Sequence, residues 1–441
     1  MKTVAFYTLG CKVNQYDSQA MLEQFLQAGF EARDFHEPAD VYVINSCVVT
    51  GVGEKKSLQA LRRAIRQNPG AEIVLSGCLA QKEANSLLST GARLILGNQR
   101  RGEVVQLLQE AIDTGTQLSA VDEVKRVAYE PLQISSSEGH TRAVMKIQEG
   151  CDRYCSYCII PYVRGGIRSR EVKDIRAEAE RLAQAGYLEV VLTGIHLSSY
   201  GRDLSGETLL DAIRAVTQVP GIARIRLGSL EPVIADTIFV SALKGIRQVC
   251  PQFHLSLQSG SDSVLVRMRR RYTAQEYLHS ARLLQVAFPG CALTTDVLTG
   301  FPDESEEEFQ QTLDFCQKVG FAKLHVFPFS ARAGTQAALM PGQLPKAVKE
   351  ARARELIRLG ETLGLAYRQG LLESDQEVLF EEEKDGVASG YTPQYMPIRV
   401  PGGQRGKLAC VHLQTLQDDG FLGSLLRDNE MEQTKEEARH G

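Results

Sequence analysis

The strongest constraint on this chain is a change of hydrophobic period that repeats along most of its length. Near the start, strand-like runs at Thr3–Leu9, Val41–Asn45, Glu72–Ser76 and Arg93–Leu96 alternate with helical patterns such as Gln15 to Ala28 and Gly53 to Gln67. Parallel strands need long crossovers, normally helices, so this alternation makes a parallel sheet covered on both faces. The fold class is therefore α/β, and residues 1–115 form an N-terminal parallel-sheet α/β domain.

Residues 116–139 lose the period, carry Ser135-Ser136-Ser137 and read as a linker. A second series then follows at Arg142–Gln148, Leu188–Thr193, Ala223–Ser229, Gln252–Gln258, Ala292–Leu298 and Lys323–Phe327. Helical spacing separates these runs, as in Val172 to Ala185 and Ala274 to Phe288. Six β/α units make an incomplete TIM-like barrel over residues 140–369, with its site at the C-terminal strand ends. From residue 370 to 430 the runs shorten to Glu377–Phe380, Val387–Thr392, Met396–Val400, Leu408–Gln414 and a piece near Phe421. Turn residues separate them, which predicts a small five-stranded antiparallel barrel. Residues 431–441 are strongly charged and read as a disordered tail.

Cys151-Asp152-Arg153-Tyr154-Cys155-Ser156-Tyr157-Cys158 falls on the loop leaving the first barrel strand, with no further cysteine until Cys250. Thiolates favour iron–sulfur clusters, zinc or copper(I). A cubane usually takes four cysteines, so three in one loop would leave one iron open to an external ligand. The other reading is a structural zinc closed by a distant side chain such as His140 or His196, though zinc knuckles normally come as paired hooks. Three more cysteines, Cys11, Cys47 and Cys78, each stand just past a strand of the N-terminal sheet. Ligands bind outside the carboxyl ends of such strands, so these three converge on one point unless they are merely buried thiols.

The Cys151 loop, with aromatic Tyr157 before its last cysteine, resembles the signature of radical S-adenosylmethionine enzymes. The stretches Thr8-Leu9-Gly10-Cys11-Lys12-Val13-Asn14-Gln15, Val43-Ile44-Asn45-Ser46-Cys47 and Ser76-Gly77-Cys78 resemble the N-terminal domain of the methylthiotransferases. The resemblance implies two [4Fe-4S] clusters, one on Cys151, Cys155 and Cys158 and an auxiliary one on Cys11, Cys47 and Cys78. It also implies S-adenosylmethionine as cofactor, with Tyr157, Gly194, Ser229, Glu231, Gln258 and Asp296 near it. The last barrel resembles the TRAM module of RNA-modifying enzymes. Gly10-Cys11-Lys12-Val13-Asn14-Gln15 and Leu192-Thr193-Gly194-Ile195-His196 resemble the threonylcarbamoyladenosine branch of bacterial tRNA methylthiotransferases. Isopentenyladenosine in tRNA, or a ribosomal-protein aspartate, is the substrate of other branches. A reductant such as flavodoxin or ferredoxin is the implied electron donor. The rival from a different class is a non-catalytic RNA-binding iron–sulfur regulator.

A net charge of −4 over 441 residues gives no global pull toward nucleic acid, so any RNA site is a local patch and DNA is not an expected partner. Arg164, Arg168 and Arg170 after the cysteine loop, and the run Arg267-Met268-Arg269-Arg270-Arg271-Tyr272, are the candidate patches, with Tyr272 able to stack on a base. Glu381-Glu382-Glu383 departs from an RNA-binding composition, because an acidic run repels phosphate. Gly51-Val52-Gly53-Glu54-Lys55-Lys56-Ser57 lacks full Walker spacing and reads as the glycines of a helix start. His196 and His254 read as supporting groups, and Cys250, Cys291, Cys316 and Cys410 as core thiols. No apolar run approaches membrane length, and ten cysteines in a chain this long suit metal ligation in a reducing cytoplasm.

Overall fold

The computed structural model describes residues 2–49, 51–124, 128–136 and 141–426. The expected tail at 431–441, His140 and part of the linker lie outside them. Six strands form the first sheet: β1 (Thr3–Thr8), β2 (Glu31–Arg33), β3 (Val41–Ser46), β4 (Glu72–Gly77), β5 (Leu94–Leu96) and β6 (Leu118–Ala120). Their order is β2-β1-β3-β4-β5-β6, and every pair is parallel. The sequence reading found four of these strands. It missed β2 and β6, which are three-residue edge strands too short to show a period; β6 falls inside the stretch read as linker. The helix Lys12–Gln27 shows little amphipathic contrast because two bodies bury it. Met21 and Phe25 pack on the first sheet, while Tyr16 and Ala20 join the core around the barrel.

The second body contains β7 (Arg142–Glu149), β8 (Arg168–Ser169), β9 (Glu189–Gly194), β10 (Arg224–Leu227), β11 (Gln252–His254), β12 (Ala292–Thr299) and β13 (Lys323–Pro328). Six of them run parallel in the order β7-β9-β10-β11-β12-β13, with the Ile225–Val249 and Leu230–Leu255 bridges joining β10 to the β11 side. β8 is a two-residue antiparallel addition to the end of β7. Among the described residues β7 and β13 do not pair, so the barrel is open there. The helix Lys12–Gln27 packs against β7, and its Asp17 pairs with Lys146. Alternate residues of β7, β9 and β10 explain the layering. Met145, Ile147, Val190, Leu192, Ile225 and Leu227 join the core under the outer helices. Arg142, Lys146, Glu189, Arg224 and Arg226 lie on the opposite, inner face.

The last five strands are β14 (Asp375–Lys384), β15 (Val387–Tyr391), β16 (Pro397–Pro401), β17 (Leu408–Gln417) and β18 (Gly420–Leu425), closed into a barrel in the order β14-β15-β16-β18-β17. The expectation of an all-antiparallel barrel is corrected at one seam, where β16 and β18 pair in parallel. Closure forces it, since the last strand must fill the gap left by β16 after β17 has crossed over.

This barrel docks on the inner-face residues at the N-terminal ends of the six parallel strands. Arg142 ion-pairs with Glu381, and Arg224 with Glu377 at 3.1 Å. Tyr391 and Tyr395 stack at 4.6 Å, with the Arg142 guanidinium 5.0 and 4.7 Å from the two rings. Arg226 lies 4.7 Å from the Tyr395 ring and donates to the Pro393 carbonyl at 2.9 Å. Glu381 sits where β14 breaks register between Phe380 and Glu382, and such a bulge re-aims a side chain. The acidic run therefore begins with a docking residue, not a charge facing RNA. β7 spans eight residues at about 3.3 Å each, so this interface lies roughly 25 Å from the cysteine loop.

Candidate functional site: two cysteine triads

Thr8, Asn45 and Ser76 occupy one row across β1, β3 and β4. Cys11 follows that row by three residues, and Cys47 and Cys78 by two each. Adjacent strands are about 4.8 Å apart, so the three loops leave the sheet side by side. Cys78 is near enough to raise the Cys11 thiol, and Cys47 near enough to raise that of Cys78. Cys47 and Cys78 are buried, and Cys11 is exposed at the start of its helix. The supporting side chains are polar and local. Ser57 Oγ accepts from the Cys47 amide at 3.2 Å. Ser46 Oγ accepts from the Leu79 and Ala80 amides at 3.2 and 3.3 Å, serving the open N-terminus of the helix Cys78–Leu87. Asn14 Nδ2 donates to the Leu9 and Ser46 carbonyls at 2.6 and 3.1 Å.

The second triad is held by its own loop. Gly150 has φ +74°, and a Cβ there would lie 1.9 Å from the Gly166 carbonyl, so only glycine turns the chain from β7 into the loop. The Cys151 amide donates to the Gly165 carbonyl at 2.9 Å, the Cys158 amide to the Cys155 carbonyl at 2.9 Å, and the Ser156 amide to the Met268 carbonyl at 3.0 Å. Gln148 Nε2 donates to the Glu149 and Gly150 carbonyls at 2.8 and 2.7 Å, while its Oε1 accepts from the His196 amide at 2.7 Å. Burial pushes the Cys151 thiol up to about 11 and the Cys158 thiol up to about 12, with the neighbouring Cys155 adding to both. These thiols stay protonated at neutral pH until a soft cation displaces the proton.

Glu231 ties the loop to the barrel rim. Its carboxylate faces Arg153 at 2.7 Å, His196 at 3.2 Å and Arg270 at 3.2 Å. Burial disfavours its charge, but His196, Arg270 and Arg153 together outweigh that and hold the carboxyl down at about 2. Arg270 also donates to Cys155 Sγ at 3.4 Å. The basic run Arg267–Tyr272 is thus divided. Arg267 is paired with Glu308 at 2.6 Å, Arg270 and Tyr272 are packed inward, and only Arg269 and Arg271 stay exposed. The Tyr272 hydroxyl donates to Ser256 and Leu257 carbonyls at 2.6 and 2.8 Å, which corrects the expectation that Tyr272 stacks on a base.

The other rim residues follow the strand ends. Gly194 closes β9, and a Cβ there would meet Gln148 Cβ at 2.8 Å, so its smallness serves packing against Gln148. Ser229 is exposed just past β10. Gln258 has φ +70°, an uncommon backbone for this residue type, and its amide donates to the Asp296 carbonyl at 2.9 Å. The Asp296 carboxylate stands 3.4 Å from His254 Nε2, and His254 Nδ1 lies 3.0 Å from Thr294 Oγ1. The His325 ring lies 5.7 Å from that of His254, tilted by 40°, and burial together with the His254 charge lowers its pKa. Tyr157 is half-buried, edge-on to Phe301 at 6.5 Å.

Arg164, Arg168 and Arg170 are not a surface patch. They are 1%, 5% and 3% exposed, so the expectation that they meet RNA is overturned. Arg170 pairs with Glu178 at 3.0 Å, and Arg164 donates to Cys78 Sγ at 3.2 Å. Gly51 begins the helix Gly51–Gln67, as a helix-start glycine should. Among the described residues no three His, Cys, Asp or Glu groups stand close enough to hold one common ion. A cubane differs from zinc in this respect, since each thiolate takes a separate iron. Three soft donors per site, each site with a guanidinium on one sulfur, match an anionic iron–sulfur group.

An open barrel of six parallel strands with a Cys-x3-Cys-x2-Cys loop at the end of its first strand is the architecture of a radical S-adenosylmethionine enzyme. The sequence profile of the radical SAM superfamily matches residues 145–316, and that of uncharacterized protein family UPF0004 matches residues 3–97. The fold is similar to that of the radical S-adenosylmethionine methyltransferase TsrM from Kitasatospora setae, at TM-score 0.56 over 77% of each chain with 15% identity. In sequence the chain is 40% identical to the threonylcarbamoyladenosine tRNA methylthiotransferase MtaB of Bacillus subtilis over 91% of both chains. It is 32% identical to the tRNA-2-methylthio-N(6)-dimethylallyladenosine synthase of Natranaerobius thermophilus over 96% of this chain and 97% of that one. The chain belongs to the radical SAM methylthiotransferase family. Among the described residues no helix is long and apolar enough to cross a membrane.

Proposed function

We propose that this enzyme converts N6-threonylcarbamoyladenosine next to the tRNA anticodon, at position 37, into its 2-methylthio derivative, using two molecules of S-adenosylmethionine. The observation that carries this reading is the pair of cysteine triads, one at the barrel mouth and one at the sheet edge, meeting across the buried Arg164. The substrate is supported by the 40% identity to a threonylcarbamoyladenosine enzyme, against 32% to a dimethylallyladenosine enzyme.

In this reading Cys151, Cys155 and Cys158 hold one [4Fe-4S] cluster, and Cys11, Cys47 and Cys78 hold the other. Such a pair of clusters together with S-adenosylmethionine would supply, at the first site, a 5′-deoxyadenosyl radical and, at the second, the sulfur destined for the adenine carbon between the two pyrimidine-ring nitrogens. Gln148 fixes the loop backbone, and Arg270 steadies the Cys155 sulfur. Glu231 keeps Arg153, Arg270 and His196 in place by staying ionised at all physiological pH values. Gly194, Ser229, Gln258, Asp296 and Tyr157 would form the rim that holds the cofactor. A flavodoxin or ferredoxin supplies electrons, and the cytoplasm is the setting.

Nucleoside mass spectrometry of total tRNA, from cells with and without the gene, tests the substrate. Loss of the 2-methylthio derivative of threonylcarbamoyladenosine, with accumulation of its parent, is expected. Loss of only the isopentenyl derivative would move the enzyme to the other branch, and no change in either would sink the tRNA substrate.

A further inference from the structure

Arg164 ends the short helix Ile160–Arg164, which begins two residues after Cys158. Its side chain is 1% exposed and lies among residues of the N-terminal domain. The three nitrogens of its guanidinium act in three directions. Nε donates to Cys78 Sγ at 3.2 Å, Nη1 to Glu149 Oε1 at 2.6 Å, and Nη2 to Asn14 Oδ1. Asn14 in turn holds the carbonyl of Leu9, two residues before Cys11, and that of Ser46, directly before Cys47. One side chain therefore touches Cys78 and, through Asn14, fixes the backbone that presents the other two cysteines. Its third contact, Glu149, leads straight into the Gly150-Cys151 turn.

The charges around it are unequal. Among the described residues Asp17, Glu130 and Glu149 pair with Arg101, Lys146 and Arg164, while Arg168 donates to the Arg164 carbonyl, so four cations stand with three carboxylates. A guanidinium hydrogen bond to a ligating sulfur favours the more negative, reduced state of an iron–sulfur group and so raises its potential. Arg270 stands similarly on Cys155, but it belongs to the same barrel as that cysteine. Arg164 crosses from the segment bearing one triad to a sulfur of the other.

We propose that Arg164 is a positioning residue of the auxiliary site, setting the reduction potential of the cluster held by Cys11, Cys47 and Cys78 and seating it against the Cys151 loop. This rests on the reading that those three cysteines hold a cluster. The test uses the full chain with Cys151, Cys155 and Cys158 replaced by Ala, reconstituted with iron and sulfide, and carrying Arg164, Arg164→Lys or Arg164→Gln. About four irons per chain are expected with Arg164. Redox titration followed by electron paramagnetic resonance should show a more negative potential in Arg164→Gln, with Arg164→Lys recovering part of the shift.

In the complementary chain, with Cys11, Cys47 and Cys78 replaced by Ala, Arg164→Lys should leave the remaining potential unmoved. In the otherwise intact enzyme Arg164→Lys should lower methylthio product tenfold or more while 5′-deoxyadenosine still forms. If Arg164→Gln does not fold, Arg164→Lys carries the comparison. Iron lost only from the auxiliary site supports the proposal, whereas iron lost from both sites makes Arg164 a folding residue and overturns it. An unmoved auxiliary potential, or equal shifts at both sites, also overturns it. Absence of iron from the first chain with Arg164 intact overturns the cluster reading and the proposal with it.

Discussion

The two cysteine triads are built in opposite ways. Cys151, Cys155 and Cys158 share one loop, whose geometry is set by Gly150 and by hydrogen bonds to Gly165 and Met268. Cys11, Cys47 and Cys78 come from three loops that meet only because β1, β3 and β4 are in register. The first triad needs β7, its loop and the barrel rim that carries Met268, Arg270 and Glu231, all within one domain. The second exists only when the whole sheet is assembled, and it takes a donor from the other domain. The difference predicts that damage to domain packing should reach the sheet-edge triad before it reaches the loop.

The largest effects should separate the triads outright. Cys151→Ala should abolish reductive cleavage of S-adenosylmethionine, measured as 5′-deoxyadenosine. Cys47→Ala should retain that cleavage and lose methylthio product; full product from Cys47→Ala would remove the functional distinction between the sites.

Next in size is Glu231→Gln, which leaves Arg153, Arg270 and His196 without their carboxylate. Removing one partner of a buried ionic group costs about 3–5 kcal/mol, to be read from the denaturant midpoint. The pH dependence sharpens this prediction. Glu231 titrates at about 2 when folded, below its ordinary value of 4.5, so its stabilisation is complete above about pH 4.5 and is lost as pH falls toward 2. The Gln variant should lack that part of the acid transition. An unchanged acid transition would show that the three cations do not depend on Glu231.

Arg142→Ala removes the Glu381 ion pair and the cation over Tyr391 and Tyr395. We expect a loss of about 1–3 kcal/mol and faster hydrogen exchange in β14 to β18. Cleavage of S-adenosylmethionine should persist, because the cysteine loop lies at the other end of the barrel. Loss of cleavage would mean that the loop senses the far end.

The smallest effect is reserved for Arg271→Ala at the exposed end of its run. Stability should move by less than about 0.5 kcal/mol, while the salt dependence of tRNA binding should lose about one unit of slope. An unchanged slope would place the RNA path elsewhere on the surface.

Legibility followed the range of the interactions. β7, β9, β10, β12 and β13 showed in the sequence because each is four or more residues long and stands between helical patterns. β2, β6 and β8 did not, because two or three residues carry no period. β11 proved shorter than its apolar run, which ends in the left-handed backbone of Gln258. Asn14 and Asn45 lay inside stretches already singled out for their cysteines, so neighbouring motif residues were the signal for the support around the auxiliary site. Nothing local marked Arg164 as anything but a basic residue near a polyanion site, and nothing marked Glu381 as a docking residue.

The sequence by itself determined the order of parallel units, the strand ends at which six cysteines fall, and the spacing that makes one triad a single loop. These follow from periods of 2 and 3.6 and from neighbours a few residues apart. Only the tertiary structure decided which charges face water and which face each other. Arg164 lies 86 residues from Cys78 and 150 from Asn14, and Arg142 lies 239 from Glu381. A guanidinium reads the same in sequence whether it meets solvent, RNA or a buried sulfur. Its role is set by desolvation and by the partner that folding brings to it, and both depend on the packing of domains against one another.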